Sequence, residues 1–231
     1  MAWTLAEIRS AIHSDITDGL KGVANYTYSE DQIEREISAE RSKILFELTK
    51  GGRFKFEKQG FEQQINCIPV DTKQLSKCPT SIPVGDDLKH FEIPPISTLH
   101  KEDTVGYIGP VSREEPEWKI YTDDNYLFHP YKLRIACKPF VYIATTINEN
   151  NKYDAFIKNY NNDNLKYVSI TGIFENPTDI EDYSCTNPDW LYPAPEWAVN
   201  DIIKRLVEKY IRYYRQLNVL PQPNTQTELN A

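Results

Sequence analysis

The feature that most constrains the fold is an amphipathic helix near the C-terminus, which follows the segment Pro193-Ala194-Pro195. Proline is favoured in the first turn of a helix because the first amides have no partner within the helix. The apolar residues after it recur at intervals of three or four, which is the spacing of one helical face: Trp197, Val199, Ile202, Ile203, Leu206, Tyr210, Tyr213 and Leu217. Such a helix is stable in water only when that face is covered, so the chain must supply other elements that pack against it.

Two helices at the N-terminus are predicted to provide that cover. Each begins with a capping pattern, in which Ser or Thr is followed three residues later by Glu or Gln: Thr4 with Glu7, and Ser29 with Gln32. The apolar stripes that follow again have helical spacing, namely Leu5, Ile8, Ile12 and Ile16, and then Ile33, Ile37, Ile44, Leu45 and Leu48. The second helix is predicted to end at Gly51-Gly52.

The middle of the chain, from Arg53 to about Tyr192, is predicted to be rich in β-structure. Helical spacing disappears there, and short β-branched and aromatic runs alternate with Pro, Gly, Asn and Asp. The predicted strands are Phe54–Phe56, Gln64–Ile68, Trp118–Tyr121, Phe140–Ile147, Tyr153–Lys158 and Tyr167–Phe174. Asparagine-rich junctions at 148–151 and 159–164 predict two hairpins, so the last three strands are expected to form a meander. The proline-rich segment 69–116 is expected to form loops that cross a sheet surface.

These patterns predict an α+β fold, in which a small helical bundle from the N-terminal helices and the C-terminal helix carries a β-rich antiparallel insertion. The predicted parts are an N-terminal helical part at 1–52, a β-rich insertion domain at 53–192, a C-terminal helix at 193–217 that packs with the helical part, and a flexible C-terminal tail at 218–231. The tail is rich in Pro, Gln, Asn and Thr, so it cannot bury enough apolar surface to offset the entropy of ordering.

The charge of the chain and its N-terminus restrict the class of protein. A formal net charge of −8 argues against general binding to nucleic acid, because most of such a surface repels polyphosphate. The first residues have neither the basic nor the apolar segment of a secretory signal, and no run of about 18 apolar residues occurs. We therefore expect a protein that is neither secreted by that route nor inserted in a membrane.

The cysteines are few and far apart along the chain. Cys67, Cys78, Cys137 and Cys185 are separated by 11, 59 and 48 residues, which matches no compact disulfide framework. They are predicted to be free and mostly buried thiols.

No arrangement typical of a catalytic or metal site occurs in the sequence. Four histidines lie apart from one another and from any cysteine at ligand spacing: His13, His90, His100 and His129. The segment Gly106–Pro110 lacks the lysine and the following helix of a phosphate loop and is predicted to be a turn. Acidic clusters at 86–87, 114–115, 123–124 and 179–182 lack the spacing of a calcium loop and are predicted to be solvated turns. We expect no catalytic residue, no cofactor and no metal.

The last helix has a pattern that indicates function. Between residues 200 and 216 it carries five basic and two acidic side chains: Lys204, Arg205, Lys209, Arg212 and Arg215 against Asp201 and Glu208. One interpretation is a solvated face stabilised by Lys204–Glu208 and Glu208–Arg212 pairs one turn apart. The other is a docking element for the acidic surface of a neighbouring copy, since Arg and Tyr dominate many interfaces. The candidate assembly residues are Trp197, Tyr210, Arg212, Tyr213, Tyr214, Arg215, Leu217 and Leu220.

The overall layout resembles a known family. A proline-introduced helix, Trp197 to Leu217, runs into Asn218-Val219-Leu220-Pro221-Gln222-Pro223-Asn224-Thr225, after two capped N-terminal helices and a β-rich insertion. This layout is similar to the head–tail connector proteins (adaptor or ring proteins) of tailed bacteriophages, the crAss-like short-tailed phages in particular. Many adaptors are smaller and mostly helical, so the long middle region is a departure from the family pattern.

The resemblance implies a structural virion protein that is made in the host cytoplasm and is not an enzyme. Such proteins form homo-oligomeric rings at the portal vertex, commonly dodecamers, and join the head to the tail. The implied partners are copies of the same chain, the portal protein and other tail or ring proteins, with genome DNA passing through the ring without sequence-specific binding and no membrane involved.

Two other functions remain open from the sequence. The first is a β-domain binding module of a phage or bacterial protein for a receptor or carbohydrate, with an exposed aromatic platform: Trp118, Tyr121, Tyr126, Phe128 and Tyr131. The second is a hydrolase or transferase whose site is assembled from distant residues.

Overall fold

The computed structural model describes residues 3–21, 28–73, 88–97, 104–111, 118–122, 140–158, 164–183, 185 and 190–219, and the structural statements below concern these residues. The chain divides into two compact units. One, here called the helical unit, comprises residues 1–47 and 194–231, and the other, the β unit, comprises residues 48–193. The α+β class predicted from the sequence is confirmed, while the predicted part boundaries stay a prediction.

The helical unit is built on helices α1 (Leu5–Gly19), α2 (Glu30–Lys50, whose last three residues belong to the β unit) and α4 (Glu196–Val219). The predicted capping box of α1 is present: the Thr4 hydroxyl accepts the Glu7 amide at 3.2 Å, and the Glu7 carboxylate accepts the Thr4 amide at 2.8 Å. The Thr4 amide, and then the Thr4 hydroxyl, which donates to the same carboxylate at 3.0 Å, lower the pKa of Glu7. The start of the first helix is therefore fixed by its own sequence.

The apolar stripes predicted from the sequence form the interior of the helical unit. Ile8, Ile12 and Ile16 of α1 and Val199, Ile202 and Leu206 of α4 have no exposed surface, and Ile33, Ile37 and Ile44 of α2 have 2 % or less. At the end of α1, a Cβ atom on Gly19 would overlap the side chain of Ile211 in α4. The two ends of the chain therefore share one apolar core.

The β unit begins with two short helical segments and continues with eight strands among the described residues. The helical segments are α3 (Phe54–Glu57) and a 3-10 helix (Lys58–Phe61), and a second 3-10 helix (Pro177–Asp182) follows the strands. The strands are β1 (Gln63–Pro69), β2 (Asp71–Lys73), β3 (Leu88–Ile93), β4 (Val105–Pro110), β5 (Lys119–Thr122), β6 (Phe140–Ile147), β7 (Tyr153–Lys158) and β8 (Tyr167–Gly172). They form a three-stranded sheet in the order β1-β8-β4 and a five-stranded sheet in the order β2-β3-β7-β6-β5.

Side chains from both sheets belong to one apolar core. The three-stranded sheet contributes Ile65, Ile68, Ile108, Val168 and Ile170, and the five-stranded sheet contributes Phe91, Ile93, Val141, Ile143, Tyr153, Ala155 and Ile157. In β3 and β7 the core residues alternate, with Phe91 opposite Ala155 and Ile93 opposite Tyr153. The sheets thus pack as a sandwich, which is the way two half-apolar sheets exclude water from each other.

Several predictions for the middle region are wrong. Phe54–Phe56 is helical, because the Arg53 carbonyl accepts the amides of Phe56 at 3.1 Å and Glu57 at 3.3 Å. Phe54 and Phe61 are buried, while Phe56 is 87 % exposed. The segment 69–116, expected to form loops, contains β2, β3 and β4.

The predicted meander is half right. The junction at 148–151 connects β6 and β7 as an antiparallel hairpin, with Asn151 at φ 59°. The strand β8, however, lies between β1 and β4 in the other sheet, so the junction at 159–164 is not a hairpin. The insertion is also not wholly antiparallel, since β5 and β6 pair in parallel. Local turn residues reveal where the chain bends but not which sheet receives the next strand.

The prediction of free thiols is wrong for two of the four cysteines. Cys67, in β1, and Cys185 form a disulfide across a sequence separation of 118 residues, with their Cα atoms 5.7 Å apart. The other two, Cys78 and Cys137, lie outside the described residues. A bridge between residues this distant in sequence depends on the tertiary fold, which the cysteine spacing alone does not reveal.

We predict that the disulfide stabilises the β unit. Cys67→Ser with Cys185→Ser should lower the free energy of unfolding by about 2–4 kcal/mol, because the unfolded chain regains the freedom of a long closed loop. Urea unfolding of oxidised and reduced protein measures this. Reductant should have a much smaller effect on the double variant than on the parent chain; an equal loss in both would contradict a stabilising role for this bridge.

Candidate assembly interface

The eight candidate assembly residues occupy different environments on α4. Tyr210 and Tyr214 are only 4 % and 7 % exposed, while Trp197 and Tyr213 are 41 % and 54 % exposed. Arg212 and Arg215 are exposed, the backbone of Leu217 lies within α4, and Leu220 lies outside the described residues. The exposed aromatic and basic residues of the set are therefore the ones with surface to offer another protein.

The two buried tyrosines pack inside the helical unit. Their rings stack at 6.4 Å, and the ring of Tyr28 lies 5.8 Å from that of Tyr210. Burial, followed by the nearby charge of Glu36, raises the pKa of Tyr210. This environment favours a neutral phenol and makes Tyr210 and Tyr214 part of the interior.

Two of the basic residues of α4 are engaged by acidic residues of α2. The guanidinium of Arg205 donates to both carboxylate oxygens of Glu47, at 3.0 and 3.1 Å, and also pairs with Asp201 at 2.8 Å. These partners raise the pKa of Arg205, and the Arg205 hydrogen bond lowers the pKa of Glu47. Lys209 pairs with Glu36 at 2.9 Å. Arg205 and Lys209 thus hold α4 against α2.

The remaining basic residues of α4 face outward. Arg215 donates to the carbonyl of Gly19 at 3.3 Å, at the end of α1. Lys204 and Arg212 are exposed, and neither of the predicted pairs with Glu208 is formed among the described side chains. Trp197, Lys204, Arg212 and Arg215 are exposed on the side of α4 opposite its buried stripe, and this surface is called the outer face of α4 below. Tyr213 is exposed too, but it lies in line with the stripe, seven residues after Leu206.

The alternative aromatic platform is not supported by the position of Trp118. This side chain is 2 % exposed and belongs to the core shared by the two sheets. The side chain of Tyr121 and the whole of Tyr126, Phe128 and Tyr131 lie outside the described residues. A residue that packs in the sandwich core cannot also present its ring to a ligand, so the prediction of an exposed Trp118 is wrong.

The residues considered for chemistry do not converge in the described part of the chain. His13 packs edge-on against Tyr28 at 5.4 Å, and the ring of His90 lies 2.6 Å from the Asp154 carboxylate. The other two histidines lie outside the described residues, as do the acidic clusters at 86–87, 114–115 and 123–124. Gly106–Pro110 is part of strand β4 and not the predicted turn. Within the described ranges, no group of three or more His, Cys, Asp and Glu residues is arranged to hold a metal ion.

One acidic pair has perturbed titration. Partial burial raises the pKa of Glu175, and the charge of Asp179 raises it further. Burial likewise raises the pKa of Asp179, although a 2.7 Å hydrogen bond from Asn176 opposes this. Asp179 lies in the 3-10 helix that follows the sandwich strands. This pair is a source of electrostatic strain in the β unit at neutral pH.

Comparison with known families identifies the kind of protein. A family model described as phage tail ring protein 2, of crAss-like phages, matches residues 11–229. The chain belongs to this family. The match spans both the helical ends and the β-rich middle, so the predicted resemblance to crAss-like ring proteins is confirmed. A search of curated proteins gives no significant match.

Membership makes this chain a structural ring protein of a phage tail, and a component of the virion. Among the described residues of the ring protein, no helix is both long and apolar enough to cross a membrane. The outer face of α4 is the surface on which sequence pattern and exposure agree. The sequence interpretation did not distinguish Tyr213 from Tyr210 and Tyr214, and only their burial in the folded chain separates them.

We predict that the exposed and the buried tyrosines of the ring protein have different roles. Tyr210→Ala should lower the free energy of unfolding by about 3 kcal/mol, because it leaves a cavity among Tyr28, Tyr214 and Glu36. Tyr213→Ala should change it by less than about 1 kcal/mol. Thermal unfolding of the two variants makes the comparison, and equal losses would contradict the assignment of Tyr210 to the interior.

We also predict a pH-dependent gain from removing one member of the acidic pair. Because the pKa values of Glu175 and Asp179 are raised, their ionised forms destabilise the folded state above those pKa values. Glu175→Gln should therefore raise the melting temperature at pH 7. The gain should vanish near about pH 3. This pH lies below the ordinary carboxyl pKa of about 4, so both groups are then largely protonated in the folded and the unfolded chain. A gain that persists unchanged at low pH would contradict an electrostatic origin.

Proposed function

We propose that this ring protein assembles into a homo-oligomeric ring at the portal vertex and joins the head to the tail without catalysing a reaction. The observation that carries the proposal is the family match over residues 11–229, which includes nearly the whole chain. The resemblance noted in the sequence points in the same direction, and twelve copies are the expected number in a ring that sits on a portal.

The arrangement of α4 supports self-association. Most of its apolar stripe is already buried within the helical unit, and Arg205 and Lys209 are already paired with α2. The outer face of α4 nevertheless carries one exposed aromatic residue, Trp197, and three basic ones. Aromatic and arginine side chains contribute most to the energy of protein interfaces, so this face is suited to contact another protein surface.

The other proposed partners are the portal protein, neighbouring tail or ring proteins and the genome DNA that passes through the ring. The formal net charge of −8 is consistent with a passage that does not retain DNA, since an acidic wall repels the phosphate backbone. No specific contact with DNA bases is proposed. Synthesis in the host cytoplasm and incorporation into the virion complete the proposal.

The most direct test of this function is to image the protein in its particle. Cryo-electron microscopy of the phage vertex should show a closed ring of this chain between the portal and the tail, and the symmetry of that ring gives the copy number. Location of the chain in another part of the virion, or as an isolated monomer, would overturn the head–tail role.

We predict that the segment after α4 is needed for incorporation and not for folding. A chain that ends at Val219, the last residue of α4, should keep the thermal unfolding of the full chain, because both apolar cores are complete before it. In particles made with this truncated chain as the sole source, its amount per particle should fall at least about tenfold if docking is lost. A chain lacking only residues 228–231 is the control for any effect of shortening the C-terminus on expression. Normal incorporation of the longer truncation would show that residues 220–231 have no docking role.

A further inference from the structure

A closed ring of more than two identical chains requires two different surfaces on each chain. One surface of each copy must contact another surface of the next copy, because a contact between identical patches closes into a dimer. The inference that follows rests on the proposed ring and concerns the surface that meets the outer face of α4.

The outer face of α4 has two cationic groups that form no ion pair among the described residues. These are Lys204 and Arg212, and both are exposed. Their neighbours Arg205 and Lys209 are paired with acidic residues of α2. A surface complementary to Lys204 and Arg212 would carry exposed carboxylates.

The C-terminal half of α1 has the opposite property. Asp15 and Asp18 are exposed there, three residues apart and hence neighbours on the helix surface, and the last turn of α1 contains no basic residue. Negative charge near the C-terminal end of a helix is unfavourable, because the unpaired carbonyls already make that end negative. Asp18 has an exposed partner in Lys21 at 2.9 Å, and Asp15 has none among the described residues.

This end of α1 also accepts a cation within its own chain. The guanidinium of Arg215 donates to the carbonyl of Gly19 there at 3.3 Å. The negative electrostatic potential at this end of α1 thus attracts basic groups, and the exposed carboxylates of Asp15 and Asp18 make that potential more negative at the surface.

We propose that the outer face of α4, through Lys204 and Arg212, binds the Asp15 and Asp18 side of α1 in a second copy of the same chain. The contact is head-to-tail, which is the kind of contact that a closed ring requires. The cationic side chains of one copy add to the compensation that Lys21 and Arg215 already give this end of α1 in the next copy, and they supply Asp15 with an ion pair that the described part of its own chain does not provide.

A charge exchange between the two faces tests this pairing. The first variant is Lys204→Glu with Arg212→Glu, the second is Asp15→Lys with Asp18→Lys, and the third combines all four substitutions in one chain. A control, Lys55→Glu with Lys166→Glu, changes the net charge as the first variant does but alters exposed lysines of the β unit. The mass of each full-length protein is measured by light scattering over the concentrations at which the parent chain assembles.

The first and second variants should each raise the concentration for half-assembly at least about tenfold, because like charges then face each other. The combined variant should restore assembly, since the new acidic α4 face meets the new basic α1 face of the next copy. The second variant should also fold at least as stably as the parent chain, because its lysines suit the end of α1. A folded protein that does not assemble excludes misfolding as the cause.

The remaining outcomes distinguish a failure of the proposed pairing from a failure of the proposed ring. If the parent chain assembles and the two single-face variants assemble equally well, or if the combined variant stays monomeric, the proposed pairing is wrong while the ring remains. If the parent chain forms no ring alone or in its particle, the proposed function fails, and this pairing fails with it. Loss of assembly in the control as large as in the first variant would show an effect of net charge alone.

Discussion

The structure of the helical unit depends on covering the apolar stripe of α4. Residues from both ends of the chain are needed for this, because Ile8, Ile12 and Ile16 of α1 and Ile33 and Ile37 of α2 are buried in the same unit as Val199 and Ile202. Ion pairs of Glu47 and Glu36 in α2 with Arg205 and Lys209 then hold α4 against α2. A chain whose two ends form one unit can carry a large insertion between them, and here that insertion is the sandwich of the β unit.

The same constraint determines what α4 can offer to other proteins. A side chain that is buried in the interior cannot also contact another protein, so Tyr210 and Tyr214 serve the fold while Tyr213 and Arg212 remain exposed. A structural ring protein of a phage tail has to contact neighbouring proteins, and it does so through exposed surfaces of this kind. The family match and the exposed, basic outer face of α4 therefore both support the proposal that this chain associates with other proteins through α4.

How much could be predicted from the sequence depended on the range of the interactions. The helices were predictable because a capping box and an apolar stripe involve residues three or four apart, as Thr4 and Glu7 do. The strands β6 and β7 were predictable with their turn for the same reason. The place of β8 between β1 and β4, and the bridge from Cys67 to Cys185, depend on residues about a hundred positions apart, for which one sequence carries no local signal. For the candidate assembly residues, composition pointed to one helix, and only burial separates its inner tyrosines from its outer one.

The central claim is tested most directly by zero-length cross-linking, which joins carboxylates to amines that are in contact. The sample is particles built from a mixture of ordinary and nitrogen-15-labelled chains. The account predicts peptides in which Lys204 of one isotope is joined to Asp15 or Asp18 of the other. The contact between Lys209 and Glu36, 2.9 Å apart within one chain, should give products of a single isotope and serves as the internal reference. Recovery of the reference product with no mixed-isotope product from Lys204 would contradict the claim that the outer face of α4 meets α1 of a second copy.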